Sequence, residues 1–486
     1  MVLVTILVLP LLGGTAIAVG RGRRASAWVA VATNGATLVL GIVTAVRVVK
    51  DGPISGAWGV LRADALSVFM VIVIGAISLL ASWLGIRTMA REQELENGSS
   101  VRSSHYGMLV QAFVGFMLLA VLAANVGVLW VAVEATTIVT AFLVGFRRTR
   151  GSLEASWKYI VICSVGIALA FLGTVFVYLA ALHAGGHSAQ ALDWTSLMAH
   201  AHRFNPSLMR FAFALIVLGY GTKVGLAPMH SWLPDAHSQA PAPVSALMSG
   251  VLLTVAFYAI LRFKAVTDVA LGPGFARTLL VVVALLSLAL AASLLITQRD
   301  YKRMLAYHSI EHMGLIALGA AAGIRLAIAA VLLHILGHGL AKSVLFLTSG
   351  EIMAAEGTSQ IDGVRALLAR RPALGGVFGV GLVALLGLPP FSLFTSELVM
   401  VRAEFEVGLG WAAVLAMVAM VVIFIAVVGH ARHMLLGPPS SSHLPAPPPR
   451  WVATPLIGGL AVCGFIGVFA WPLSGLLEAA ARVVAS

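Results

Sequence analysis

Cysteine is nearly absent from this chain: Cys163 and Cys463 are the only two in 486 residues, each alone in an apolar run. No CxxC, haem-attachment or iron–sulfur spacing occurs, so the sequence offers no redox centre or cofactor site of its own. Any electron transfer belongs to a partner, and the chain is expected to be a cofactor-free subunit and not itself catalytic. Charge is also scarce. Asp, Glu, Lys and Arg make up 10% of the residues, where a soluble domain carries about 25%. No segment between apolar runs is long enough for a folded soluble domain. The formal charge of +12 therefore has no basic domain to sit on, which excludes nucleic acid as a partner. Basic loops facing an anionic lipid leaflet account for the excess. A secretory signal is missing too: MVLVTILVLPLLGGTAIAVGRGRR puts its positive charges after the apolar run, where a signal has them before it. This is expected to be a first spanning helix.

What the chain does have is oil, with 60% hydrophobic residues and a mean hydropathy of +1.00. The expected class is an all-α polytopic membrane protein forming a single membrane domain over 1–486. Apolar stretches long enough to cross a bilayer centre near residues 11, 37, 75, 114, 136, 169, 217, 252, 286, 313, 337, 386, 422 and 466, about fourteen in all. The odd-numbered connections hold eighteen Lys and Arg residues against eleven in the even-numbered ones and the C-terminus. The odd connections are thus expected in the cytoplasm, with both termini outside. SSSHLPAPPPR, residues 440 to 450, reads as an extended linker.

Ionisable groups inside apolar runs cost a few kcal/mol each at the bilayer centre, so they mark function. Glu134 lies mid-run in VGVLWVAVEATTIVTAFLVGF, as a functional carboxylate or half of a structural ion pair. Lys223 stands among Gly219, Gly221, Gly225 and Pro228, so its helix is expected to be broken, the pattern of transporter binding sites. Glu134 and Lys223 are expected to act as a switchable pair. In HILGHGLAK, residues 334 to 342, His334, His338 and Lys342 are spaced four and four and share one helical stripe. A zinc-protease motif would need Glu where Ile335 stands, and Lys342 is a poor metal ligand, so no metal is expected there. A water-joined proton relay is favoured over separate structural hydrogen bonds. Glu397 follows a Pro389-Pro390 break, repeating the arrangement at Lys223. Glu311 and His312 form a lesser pair near a cytoplasmic end, either a point of proton uptake or simply interfacial. His230, His237, Thr254 and His308 join them as candidates for proton uptake or support.

KVGLAPMHSWLPDAHSQAPAPVSALMSG, YKRMLAYHSIEHMGLIALG and HILGHGLAKSVLFLTSG together resemble the antiporter-like membrane subunits of respiratory complex I, Mrp-type sodium/proton antiporters and group-4 hydrogenases. AHSQAPAPVSALMSG and SIEHMG most resemble the F-type subunits of hydrogenase-4 complexes. The likeness runs from about residue 60 to 435. It implies spans 1–3 in 1–104 and two inverted five-helix repeats, spans 4–8 in 105–262 and 9–13 in 276–434. Breaks would fall in spans 7 and 12, and span 14 in 451–480. It also implies that Glu134, Lys223, His334, His338, Lys342 and Glu397 carry protons. Partners would be other membrane subunits and a peripheral hydrogenase or iron–sulfur arm, in a bacterial plasma membrane. One departure stands out. Many relatives have Lys or His in span 8, where this chain has Thr254, which orients water but holds no proton at neutral pH. The rival expectations are a sodium/proton antiporter subunit and a non-conducting scaffold.

Overall fold

The structure, a computed structural model, describes residues 1–20, 24–95, 100–185, 190–436 and 450–485. Arg21, Arg23 and positions 440–449 of the expected linker lie outside the described residues.

Helices dominate. In chain order they are α1 (Val2–Val19), α2 (Arg24–Asp51), α3 (Ala65–Leu95), α4 (Ser100–Leu122), α5 (Val126–Val144), α6 (Arg150–His183), α7 (Trp194–His200), α8 (Pro206–Val224), α9 (Trp232–Gln239), α10 (Ala242–Leu247), α11 (Leu253–Leu271), α12 (Pro273–Leu295), α13 (Tyr301–Ala322), α14 (Arg325–Glu356), α15 (Leu367–Arg370), α16 (Pro372–Leu385), α17 (Ser392–Glu406), α18 (Gly410–Leu436), α19 (Arg450–Val468) and α20 (Trp471–Val484). A hairpin of β1 (Ile54–Gly56) and β2 (Leu61–Ala63), paired Ile54 to Ala63, joins α2 to α3. Most helices obey the lipid constraint that backbone groups be satisfied within the segment.

Among the described residues, eleven helices are long and apolar enough to cross a membrane, or twelve if α19 and α20, bent by 76°, count as one span. The sequence leads to an expectation of fourteen. The two further positions are α13, whose 22 residues carry Lys302, Arg303, His308, Glu311 and His312, and the α16/α17 pair, 14 and 15 residues either side of a break.

Two rods are buried over their central stretches and form the centre. One is α10 and α11, continuous through a π-helical turn at Met248–Leu252, and the other is α14. Arg262 and Lys264, two of the eleven Lys and Arg counted in the even-numbered connections and the C-terminus, lie within buried α11 and are paired. Arg262 Nη2 donates to Asp64 at 2.6 Å and to Ser67 at 2.9 Å, while Lys264 binds Asp268 one turn on. Burial pushes the Asp64 carboxyl up, but the Arg262 guanidinium beside it holds it below the usual carboxylate range.

Candidate functional site

Lys223 owes its place to the end of α8. Asn205 starts that helix, its side chain accepting from Ser207 N at 2.9 Å and Leu208 N at 3.2 Å, with Pro206 in the first turn. Gly225, at φ +82°, ends it in a left-handed conformation that a side chain would strain. The break frees backbone groups inside the membrane, and they find partners. Trp232 Nε1 donates to Thr222 O at 2.8 Å, and Ala227 N donates to Ser287 Oγ of α12 at 2.9 Å. Gly166, Gly173 and Gly219 let α6 and α8 approach closely, which sets Lys223 against Tyr159 of α6.

Lys223 is fully buried, and its Nζ donates to Tyr159 Oη at 2.8 Å. Tyr159 is 2.5 Å from Thr140 Oγ1, whose own hydroxyl goes to Thr136 O at 2.6 Å. Tyr159 therefore accepts from the lysine and donates to the threonine. Glu134, half-buried one turn before Thr137, accepts from Thr137 Oγ1 at 3.0 Å. No hydrogen bond or ion pair joins Glu134 to Lys223 among the described residues, and the hydroxyls of Thr137 and Tyr159 border the gap between them. A cavity of about 720 Å³ between α4, α5 and α6 reaches Thr137 and passes His105, Arg102 and Arg148.

The short helix α9 is tied by the motif's acid. Asp235 binds Lys158 Nζ and Arg303 Nη1, both at 3.1 Å, and Lys302 Nζ caps its far end through Ser238 O and Ala240 O at 2.7 and 3.0 Å. This turns His237 inward. It is fully buried and stacks on Phe346, one turn past Lys342 on α14, at 5.0 Å between rings. His230 sits half-buried at the break, its Nδ1 3.2 Å from Pro228 O, away from the other groups. Thr254 is buried and its hydroxyl returns to Val251 O of its own helix at 2.9 Å.

The stripe of α14 faces α13. Lys342 Nζ donates to Leu305 O, and His338 faces the backbone of Ser249 in the π turn. His312 of α13 meets three other imidazoles. Its ring lies 4.9 Å from His308, 5.1 Å from His334 and 4.8 Å from His338. Its Nδ1 is 3.0 Å from His334 Nε2, and His334 Nδ1 is 2.9 Å from Ser396 Oγ on α17. Glu311 Oε2 stands 2.8 Å from His308 Nδ1. Glu311 and His312 lie inside the helical bundle. His312 lies eleven residues into α13, roughly 16 Å along its axis at 1.5 Å per residue, and both side chains are buried.

The chain's polarity follows from its end. Ser396 Oγ donates to Leu393 O at 2.9 Å, so it accepts from His334 Nδ1–H. His334 Nε2 is then bare and accepts from His312 Nδ1–H. Glu397 completes this end: one carboxylate oxygen and one nitrogen from each of His312 and His334 lie within 4.8 Å of one another. Gly387, at φ +62°, allows this approach, because a Cβ there would meet the Glu397 carboxylate.

The structure therefore joins His308, Glu311, His312, His334 and Glu397 in one cluster, with His338 and Lys342 on the same stripe. It leaves Lys223 and Glu134 as a separate group and His230 and Thr254 outside both. Tyr159 and Ser396 were not found from sequence. A hydroxyl in a span is common, and only its facing partner gives it meaning.

Proton-binding groups strung through the centre of a multi-pass helical bundle, between two broken helices, define a membrane protein of the ion-handling class. The chain belongs to the family described as NADH:quinone oxidoreductase/Mrp antiporter, TM, whose profile matches residues 123–423. It is 40% identical to the Hydrogenase-4 component F homolog of Methylacidiphilum infernorum over 342 residues, covering 70% of this chain and 72% of that one. It is 30% identical to Hydrogenase-4 component B of Escherichia coli over 352 residues, covering 69% of this chain and only half of that protein. In fold it is similar to a chain of the archaeal membrane-bound sulfane sulfur reductase, a respiratory membrane complex. The TM-score is 0.87 at 24% identity, over 100% of this chain and 98% of that one.

Proposed function

We propose that the chain is a proton-translocating membrane subunit of a redox-driven complex of the hydrogenase-4, formate hydrogenlyase or complex I kind. The observation that carries this reading is the buried node at His312, where three other imidazoles and the Glu397 end converge. Each ionisable group there costs a few kcal/mol in a membrane, which a mere scaffold has no reason to bear. Imidazoles and amines bind and release protons, whereas a hard alkali cation takes oxygen ligands, so the axis favours H+ over Na+.

A proton arrives through the cavity beside Thr137 and reaches Lys223, whose charge Glu134 tunes across the hydroxyl gap. His237, beside the Lys342 turn, links the broken span to the central stripe, a role for which the self-bonded Thr254 is poorly placed. Lys342, His338 and His312 pass the proton toward His334, Ser396 and Glu397. The uniform donor direction from His312 through His334 to Ser396 supports transfer in that order, and the Glu397 carboxylate lies within reach of both imidazoles.

Adding α13 and the α16/α17 pair to twelve candidate spans gives fourteen. At roughly 33 Å for 22 residues, α13 is long enough to cross a core of about 30 Å. Two inverted repeats, 105–262 and 276–434, agree with breaks in the fourth span of each five: α8/α9 in the first and α16/α17 in the second. Both termini then face outside a bacterial plasma membrane. The partners are other membrane subunits and a peripheral redox arm, in keeping with relatives named for hydrogenase-4.

His338→Gln and Lys342→Arg test the reading in assembled complexes. The amide binds no proton near pH 7 and guanidinium does not release one, so each should slow proton flux by roughly tenfold or more. A structural stripe predicts normal flux in both, with any loss showing as poor assembly.

A further inference from the structure

The sequence weighs a metal on His334 and His338, one turn apart on a single helix, and finds no third ligand. The structure offers a different set. One imidazole nitrogen each from His312 and His334 and a Glu397 carboxylate oxygen, from α13, α14 and α17, lie within 4.8 Å of one another. We infer that these three residues form a binding site for a divalent cation of the Zn2+ class, and that its occupancy closes the proton path. The site stands on this geometry alone; the closure rests on the transport reading above.

Several features fit such an ion. The facing nitrogens, His312 Nδ1 and His334 Nε2, are 3.0 Å apart on rings tilted by 44°. A tetrahedron with metal–nitrogen bonds of about 2.0–2.1 Å has an edge of about 3.3 Å, so a small adjustment seats both ligands. Two imidazoles and one carboxylate leave a fourth position for water, a set that Zn2+ and Co2+ accept. His334 is already in the required tautomer, because Ser396 accepts from its Nδ1–H and leaves Nε2 bare. Such an outer partner orients a metal-ligating histidine. Only His312 has to change, moving its proton from Nδ1 to Nε2, a buried atom that has no hydrogen-bond partner in the protein. Glu397 is partly exposed beside the α16/α17 break.

A second grouping, His308, Glu311 and His312, shares one ligand but fits less well. The rings of His308 and His312 are stacked at 11° and 4.9 Å, and nitrogen lone pairs in two parallel planes do not converge on one ion. The consequence for transport is direct. A bound cation takes the Nδ1 and Nε2 positions through which His312 hands a proton to His334.

The test is titration of the purified full-length protein with Co2+, whose ligand-field absorption reports nitrogen and oxygen ligation. We expect about one Co2+ per chain, displaced by Zn2+, and loss of the band in both His312→Gln and Glu397→Gln. Glu311→Gln should retain it. Each variant keeps side-chain volume, and an unchanged gel-filtration profile and melting temperature confirm folding. A band that survives both ligand substitutions, or one lost in Glu311→Gln and kept in Glu397→Gln, overturns the assignment. In reconstituted vesicles, saturating Zn2+ should reduce wild-type proton flux at least tenfold, with recovery on chelation. Unchanged flux with the metal bound overturns the closure. Because Co2+ binding is read without transport, absence of any wild-type flux counts against the proton reading and not against the site.

Discussion

Among the described residues Lys223 has no carboxylate partner, and a phenol accepts from it in the middle of this protein. Tyr159 takes a hydrogen bond from Lys223 and passes its own to Thr140, so the lysine amine meets a phenol while Glu134 stays apart. Removing that acceptor in Tyr159→Phe leaves a buried donor unmatched, at a cost of about 1–3 kcal/mol. We expect a lower melting temperature together with slower proton flux, both measurable on the assembled complex. Normal stability and flux would show that water replaces the phenol. Glu134→Gln should slow flux less than loss of Lys223, since it changes a tuning charge and not the carrier. Lys223, His334, His338, Lys342 and Glu397 are legible in the sequence because ionisable groups in apolar runs are rare and costly. Tyr159 and Ser396 are not, since hydroxyls are ordinary in spans and their role is fixed by which way a neighbouring helix is turned.

Among the elements, the breaks carry most of the design. Gly225 ends α8 and Gly387 follows α16, both with positive φ. The Gly/Pro signals at both are plain in the sequence, and both breaks are present. Gly387→Ala should be doubly disruptive. A non-glycine residue in that conformation costs of order 1–3 kcal/mol, and its Cβ would push on Glu397. Slower flux with intact Lys223-side function, read as retained proton uptake into the first half, is the expected result; wild-type flux would separate Gly387 from the Glu397 end. What the sequence underrates is α13. From sequence its Glu311 and His312 read only as a lesser pair, for proton uptake or simply interfacial, and the structure makes His312 the meeting point of the imidazoles. Periodicity along one helix cannot show which neighbouring helix faces it, and this cluster is made by three.

At the scale of the whole molecule, the candidate proton carriers among the described residues fall into two clusters, one around Lys223 and one around His312, with His237 beside the Lys342 turn between them. The class, the long apolar helices and the family were legible from composition and motifs, because a bilayer permits few solutions. The arrangement of the axis was not, since it depends on how α13, α14 and α17 are rotated about one another. The account makes Lys223 the first obligatory proton carrier of that axis. The most direct measurement is the ratio of protons moved to electrons transferred in vesicles carrying the native complex with Lys223→Ala, assembled to normal levels. The account predicts that the ratio falls while redox turnover by the partner subunits persists; a wild-type ratio in that variant would contradict it.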